Sequence, residues 1–196
     1  MVDRDFKKDL EQILKDTDTI SEQVIAESKR IYSHYGLMFD DSAFRSVRGD
    51  LCVKVLGKYL GSVLHCKPEY EVRLVGRMRA DIELCNKIEI EVKSHGMFDE
   101  SDLKKRFRVL TDKKREMKHI YVAFRERQDF VGKTRKALSP LGVDCFFLST
   151  YVTGEKPVIC YNDLRSLVNK LSSILANQQK RAGLSLKWSK MVFIPF

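Results

Sequence analysis

A single α/β domain built on a central mixed sheet with helices on its faces is the fold class that three observations predict. Apolar residues at helical spacing fill the first third of the chain, and three short alternating runs follow within residues 70–93. From there on helical and β-branched segments alternate. The 196 residues suffice for one such domain, with a helical extension, to bury a sizeable core.

Phe6, Leu10, Ile13 and Leu14 share one helical face, and "TISE" (Thr19 to Glu22) has the pattern of a capping box among Ile20, Val24, Ile31 and Tyr35. Two helices are therefore expected before Gly36, which ends the second. A third is expected over 42–60, where Leu51, Val55, Leu56, Tyr59 and Leu60 fall at helical spacings and Gly61 stands just past the end. The runs "YEVRLV" (70–75), "ADIELC" (80–85) and "IEIEVK" (88–93) have the separators "GRMR" and "NK", short enough for hairpins, which predicts an antiparallel meander. A charged helix over 100–117 leads into "HIYVAF" (119–124), and another over 132–141 leads into "VDCFFLST" (143–150). Runs this dense in Val, Ile, Tyr and Phe, each arriving after a helix, predict strands buried through helical crossovers. A last amphipathic helix carries Leu164, Leu167, Val168, Leu171, Ile174 and Leu175, with Asn162 as its expected N-cap and its end before Gly183. The tail "LSLKWSKMVFIPF" is expected to add an edge strand or to pack against a partner chain. No repeat or linker divides the chain. Residues 1–196 read as one domain, with a helical extension over 1–40, a core over 42–150 and a C-terminal helix and tail over 151–196.

The balance of 36 Lys+Arg against 27 Asp+Glu gives a net charge of +9, which favours phosphate-rich partners over acidic proteins or neutral metabolites. No run approaches the ~20 apolar residues of a membrane span. The N-terminus "MVDRDFKKDLEQIL" is charged throughout, unlike a signal peptide, so an intracellular, cytoplasmic protein with no membrane partner is expected. Cys52, Cys66, Cys85, Cys145 and Cys160 include no CxxC pair; they read as reduced residues rather than a disulfide frame or a zinc site.

The stretch "RADIELCNKIEIEVKS" (79–94) places acids inside two β-patterned runs. Period-2 alternation puts Asp81 and Glu83 on one face of the first run, and Glu89, Glu91 and Lys93 on one face of the second. One reading is a wet face with cross-strand Glu–Lys pairs. The other is a metal site, because Mg²⁺ takes oxygen ligands and commonly uses one or two carboxylates, waters and a substrate phosphate oxygen. Asp81 and Glu91 supply the carboxylates, the Val92 carbonyl offers a further ligand, and Lys93 can orient a water and stabilise charge on phosphorus. Glu83 and Glu89 read as mainly solvated or supporting. Glu69 and Glu71 read as edge-strand charges.

These residues resemble the motif of the PD-(D/E)XK nucleases, the restriction-endonuclease-like group that includes Holliday junction resolvases and RecB-type nuclease domains. The resemblance rests on Asp81 at the start of one strand and "EVK" (Glu91, Val92, Lys93) ten residues on, in the order helix, three antiparallel strands, helix, strand. It spans residues 42–150 and implies an αβββαβ core, with Asp81 and Glu91 as metal-binding carboxylates and Lys93 as the catalytic lysine. Many members add an acid from the helix before the meander; the matching candidate is Asp50, an aspartate where glutamate is commoner. Asp50 reads equally as a surface partner of Lys54. Ala80 stands where the family motif has its proline.

The resemblance implies a Mg²⁺- or Mn²⁺-dependent endonuclease, with DNA favoured over RNA as substrate. An inactive nucleic-acid-binding or assembly module of the same fold and an RNA endonuclease are the alternatives. Basic runs supply candidates for the nucleic-acid backbone: Lys104, Lys105, Arg108, Lys113, Lys114 and Arg115 after the motif, and Lys133, Arg135 and Lys136 in "GKTRKAL". That second run lacks the upstream glycine of a nucleotide-binding P-loop. His95 follows the motif in a Gly-containing loop, and the other histidines suggest nothing. The apolar end "MVFIPF" offers a surface for a homodimer.

Overall fold

A computed structural model describes residues 4–74, 79–95, 100–113 and 116–181. Its first helix, α1 (Phe6–His34), is continuous, where two helices were expected. The "TISE" pattern does not cap anything. Thr17 Oγ1 donates to the Ile13 carbonyl at 2.9 Å and Ser21 Oγ donates to the Thr17 carbonyl, so both hydroxyls turn back onto the preceding turn inside the helix. The cap is Asp5, whose carboxylate accepts the N–H groups of Lys7 and Lys8. At the other end Gly36 takes a left-handed conformation (φ +67°), and the Leu37 N–H returns to the Tyr32 carbonyl at 2.9 Å.

Helix α2 (Asp41–Leu64) runs through Gly61 rather than stopping before it. A Cβ on Gly61 would lie 2.9 Å from the Cys66 carbonyl oxygen and 2.8 Å from Pro68 Cδ, so glycine here permits close approach rather than marking the helix end. Gly57 does the same against Tyr70.

The meander follows as β1 (Pro68–Arg73), β2 (Arg79–Leu84) and β3 (Ile88–Lys93), antiparallel in succession. The β2–β3 turn holds Cys85 and Asn86 at φ +55°. Helix α3 (Glu100–Lys113) leads to β4 (Lys118–Ala123), which pairs parallel to β3. A two-residue strand, β5 (Glu126–Arg127), precedes α4 (Gln128–Leu138) and a 3₁₀ turn (Ser139–Leu141).

The expected strand over 143–150 is divided. β6 (Asp144–Phe147) pairs parallel to β4, whereas β7 (Ser149–Tyr151) joins β5 and β8 (Val158–Ile159) in a separate small sheet. The Leu148 N–H still bonds the Ala123 carbonyl, and Ser149 Oγ donates to the Phe124 carbonyl, so the chain changes sheets at the end of β4. Helix α5 (Tyr161–Arg181) closes the fold. It begins one residue before the expected cap, Asn162, which lies inside its first turn. The tail from residue 182 lies outside the described residues.

The protein is thus mixed α/β, with a five-stranded mixed sheet of order β1-β2-β3-β4-β6 and five α-helices among the described residues. One sheet face, with Ile82, Ile90, Val92, Ile120 and Val122, packs with Leu10 and Ile13 of α1, Cys52, Leu56 and Leu60 of α2, and Leu164, Leu167 and Leu171 of α5. The other face carries Tyr121, Ala123 and Phe147 against Leu103, Phe107 and Leu110 of α3 and Leu138 of α4. Helices on both faces leave β3 little access to solvent. No helix among the described residues is long and apolar enough to cross a membrane.

Candidate active site

The seam between β2 and β3 creates the site. Their pairing runs from Leu84↔Ile88 through Glu83↔Glu89 to Ile82↔Ile90. Beyond it β2 stays with β1 as far as Arg73↔Arg79, and β3 stays with β4 as far as Lys93↔Ala123. Asp81 stands where the ladder stops, and its Oδ2 accepts the Val92 N–H at 2.7 Å. A carboxylate thereby replaces a strand partner and is fixed next to Glu91.

Side-chain parity puts Asp81, Glu83, Glu89, Glu91 and Lys93 on the face that looks toward α3 and α4, opposite Ile82, Ile90 and Val92. Glu91 is buried, and its Oε1 lies 2.6 Å from Lys93 Nζ, whose side chain is 43% exposed. Burial in the first place, and then the negative charge of Glu91, push the Asp81 carboxyl up to about 6; the Val92 N–H, Lys93 and Arg106 oppose the shift. Three of the expected residues are therefore brought together, with a buried acid, a hydrogen-bonded acid and a cation that reaches solvent.

Of the two roles expected of Glu83 and Glu89, solvated or supporting, the solvated one is corrected: both are buried, and Glu89 is 0% exposed. β3 is covered on the face expected to be wet, so its acids need internal partners. Glu89 Oε2 pairs with His119 Nδ1, from the residue beside it on β4, so a histidine that suggested nothing in the sequence supports the site's inner end. Arg106 of α3 was also missed. Its Nη2 lies 2.5 Å from Glu91 Oε2, 3.7 Å from Glu89 Oε1 and 2.6 Å from the Arg79 carbonyl. The sequence signal was available: Arg106 falls within the apolar stripe Leu103, Phe107 and Leu110, where a solvated charge does not belong.

Asp50 is not brought to these residues. It is exposed on α2, whose buried residues Cys52, Leu56 and Leu60 pack on the other face of the sheet. Glu69 is exposed on the edge strand β1, as is Glu71, which pairs with Arg79 at 3.1 Å. His95 is exposed two residues past Lys93. Of the basic candidates on α3, Lys105 and Arg108 are exposed and Lys104 is half-buried; the Lys113 side chain, Lys114 and Arg115 lie outside the described residues. On α4, Lys133 and Lys136 are exposed, Lys133 over the Phe130 ring, while Arg135 pairs with Asp163 at 3.0 Å. A further pair of arginines gathers past the end of β4. Asp18 of α1 binds Arg48 of α2 and, at 2.7 Å, Arg125, one residue after Phe124, whose N–H bonds the Lys93 carbonyl.

The described residues include no group of three or more His, Cys, Asp or Glu arranged to hold a metal ion. The oxygens that could take a cation here are fewer, those of Asp81, Glu91 and the Val92 carbonyl, and a hard cation commonly uses one or two carboxylates and completes its shell with water and phosphate oxygens. Among the described residues Glu91 Oε2 and Glu89 Oε1 are buried acceptors with no aligned hydrogen bond; Arg106 lies 2.5 Å from the first and 3.7 Å from the second and supplies their counter-charge. Carboxylates that already draw a cation have the chemistry to take a metal ion in its place. No protein-family model matches the chain, and neither the curated proteins nor the solved structures include a match.

Proposed function

We propose that the protein is a divalent-metal-dependent endonuclease on a restriction-endonuclease-like core, acting on DNA. The observation that carries this reading is the parted β2–β3 seam, where Asp81 and Glu91 face one side of the sheet and Lys93 leads from them to solvent. The succession α2, β1-β2-β3, α3, β4 supports the fold assignment, since it keeps the helix, meander and parallel crossover order of that core.

Asp81, Glu91 and the Val92 carbonyl would hold Mg²⁺ or Mn²⁺. Bound there, the ion supplies a water of lowered pKa and neutralises charge that develops on the phosphodiester. Lys93, anchored by Glu91 and half-open to solvent, would hold the nucleophilic water and donate to a phosphate oxygen. Val92 fixes the Asp81 carboxylate through its N–H, which would hold it in place for the ion. Exposed Lys105, Arg108, Lys133 and Lys136 lie on α3 and α4, the helices covering this sheet face, and would hold the nucleic-acid backbone.

A second reading has a specific observation behind it. Arg106 and Lys93 already neutralise Glu91, as they would in an inert ion-pair network of a binding module. Cleavage of a panel of linear, branched and single-stranded DNA and RNA in Mg²⁺ or Mn²⁺ separates the two. The nuclease reading expects wild-type cleavage of at least one DNA and none by Asp81→Ala. Equal cleavage by both proteins, or binding without cleavage across the panel, refutes it, and cleavage confined to RNA corrects the substrate.

A further inference from the structure

The acid cluster already contains a cation of its own. The Arg106 side chain is 24% exposed and enters from α3 between Glu91 and Glu89, with its firm hydrogen bond to the Arg79 carbonyl at 2.6 Å. Its contact with Glu91 Oε2 at 2.5 Å is electrostatic without being aligned, and its Nε has no hydrogen-bond partner among the described residues. Glu89 Oε1, 3.7 Å away, is a buried acceptor without a hydrogen bond. A guanidinium carries five donors in a rigid fork, so a small rotation about the Arg79 anchor can exchange one carboxylate for the other.

Two carboxylates packed side by side need positive charge whether or not an ion is bound. Glu89 is held from behind by His119, and no part of it reaches solvent, so it is unsuited to bind an entering ion but suited to receive an arginine. Glu91 is the carboxylate that both Arg106 and a metal ion would claim. Lys93 holds the other oxygen of Glu91, so the exchange concerns Oε2 alone.

We infer that Arg106 is a resident counter-cation of the site: it holds Glu91 Oε2 in the metal-free protein, and a divalent cation displaces it onto Glu89 Oε1. Arg106 is thus a positioning residue that sets the metal affinity, and Glu89 is its landing place, not a ligand. The inference rests on the metal-site reading above and adds to it an antagonism between one arginine and the ion.

Calorimetric titration with Mn²⁺ tests it on the full chain, in wild type, Arg106→Ala, Arg106→Lys, Glu89→Gln and the Arg106→Ala/Glu89→Gln double variant, with Asp81→Ala as the site control. Arg106→Ala is expected to bind Mn²⁺ at least tenfold more tightly than wild type, and Arg106→Lys to lie between. Glu89→Gln is expected to weaken binding in the wild-type background but not in Arg106→Ala, a non-additivity that a merely structural arginine does not produce. Arg106→Ala leaves buried acids unpaired, so thermal melting in EDTA and in Mn²⁺ accompanies the titration. The expected result is a lower metal-free melting temperature that Mn²⁺ raises by more than it raises that of wild type. Equal or weaker Mn²⁺ binding by Arg106→Ala, or a lowered melting temperature that Mn²⁺ does not restore, overturns the exchange while wild-type binding keeps the metal reading intact. An absence of Asp81-dependent heat in every protein overturns both.

Discussion

Replacing Asp81 by Asn should make the metal-free protein more stable and at the same time abolish its function. Asp81 is held next to Glu91 in a largely covered position, and its carboxyl is raised from an ordinary value near 3.8 to about 6. Below the unfolded value the group is protonated in both states and costs nothing. Between about 3.8 and about 6 the unfolded chain gives up this proton while the folded protein keeps it, so stability is lost over that window and stays lost above it. Two pK units at ~1.36 kcal/mol each set the penalty at ~3 kcal/mol above pH 7. Asparagine keeps an oxygen for the Val92 N–H and removes the charge. Urea denaturation in EDTA should therefore show Asp81→Asn more stable than wild type by up to ~3 kcal/mol at pH 8, and the two equal at pH 3.5. A stabilising substitution that ends activity marks a charge retained for function at a cost in stability. A variant no more stable than wild type at pH 8, or one whose advantage is the same at every pH, would refute the reasoning.

Glu126 offers a second pH test away from the proposed ligands: it is fully buried with one oxygen unpaired, and burial raises its carboxyl to about 6. Glu126→Gln should spare the protein a loss of ~2 kcal/mol that wild type suffers between pH 4.5 and 7, read by denaturation at the two pH values; parallel profiles would contradict the burial argument. Gly61→Ala should cost ~1–3 kcal/mol, because the new methyl meets the Cys66 carbonyl and the Pro68 ring, and a melting temperature equal to wild type would show that α2 and β1 can separate freely. Lys105→Ala/Arg108→Ala should reduce the slope of log affinity against log salt for duplex DNA by ~1.8, measured by fluorescence anisotropy; an unchanged slope removes α3 from the interface.

Much of the fold was legible because the chain's periods are clean. The "IEIEVK" run has the bounds the sequence assigned it, and the order of the helix, meander and crossover elements follows the switches in period. Where the reading failed, tertiary context overrode a local signal. "TISE" looks like a cap, but α1 runs unbroken through it, and its Ser21 turns the hydroxyl back onto the Thr17 carbonyl of the preceding turn. "VDCFFLST" looks like one strand, yet the chain leaves the main sheet near Leu148, because β4 ends at Ala123 and offers it no further partner.

The site shows the same division. Alternation put Asp81, Glu83, Glu89, Glu91 and Lys93 on one face of a hairpin, and the resemblance singled out Asp81, Glu91 and Lys93, which the structure holds close together. The partners that complete the cluster come from elsewhere in the chain: Arg106 from α3 and His119 from β4. Alternation also made Glu89 look solvated, because period 2 distinguishes two faces without saying that both are covered. Only the packing of α3 and α4 over the second face reveals that.

The central claim is tested most directly by Lys93→Ala on a DNA that the substrate panel shows the wild-type protein to cleave, with cleavage and binding measured side by side in Mg²⁺. Lys93 sits at the solvent end of the cluster, 43% exposed and ion-paired with Glu91, so the variant should fold and bind DNA close to wild type. Its cleavage rate should fall by ~10²–10³-fold or more, the loss typical of removing a preorganised donor from a charged transition state. Cleavage at the wild-type rate by Lys93→Ala would contradict the claim that Asp81, Glu91 and Lys93 form a hydrolytic centre.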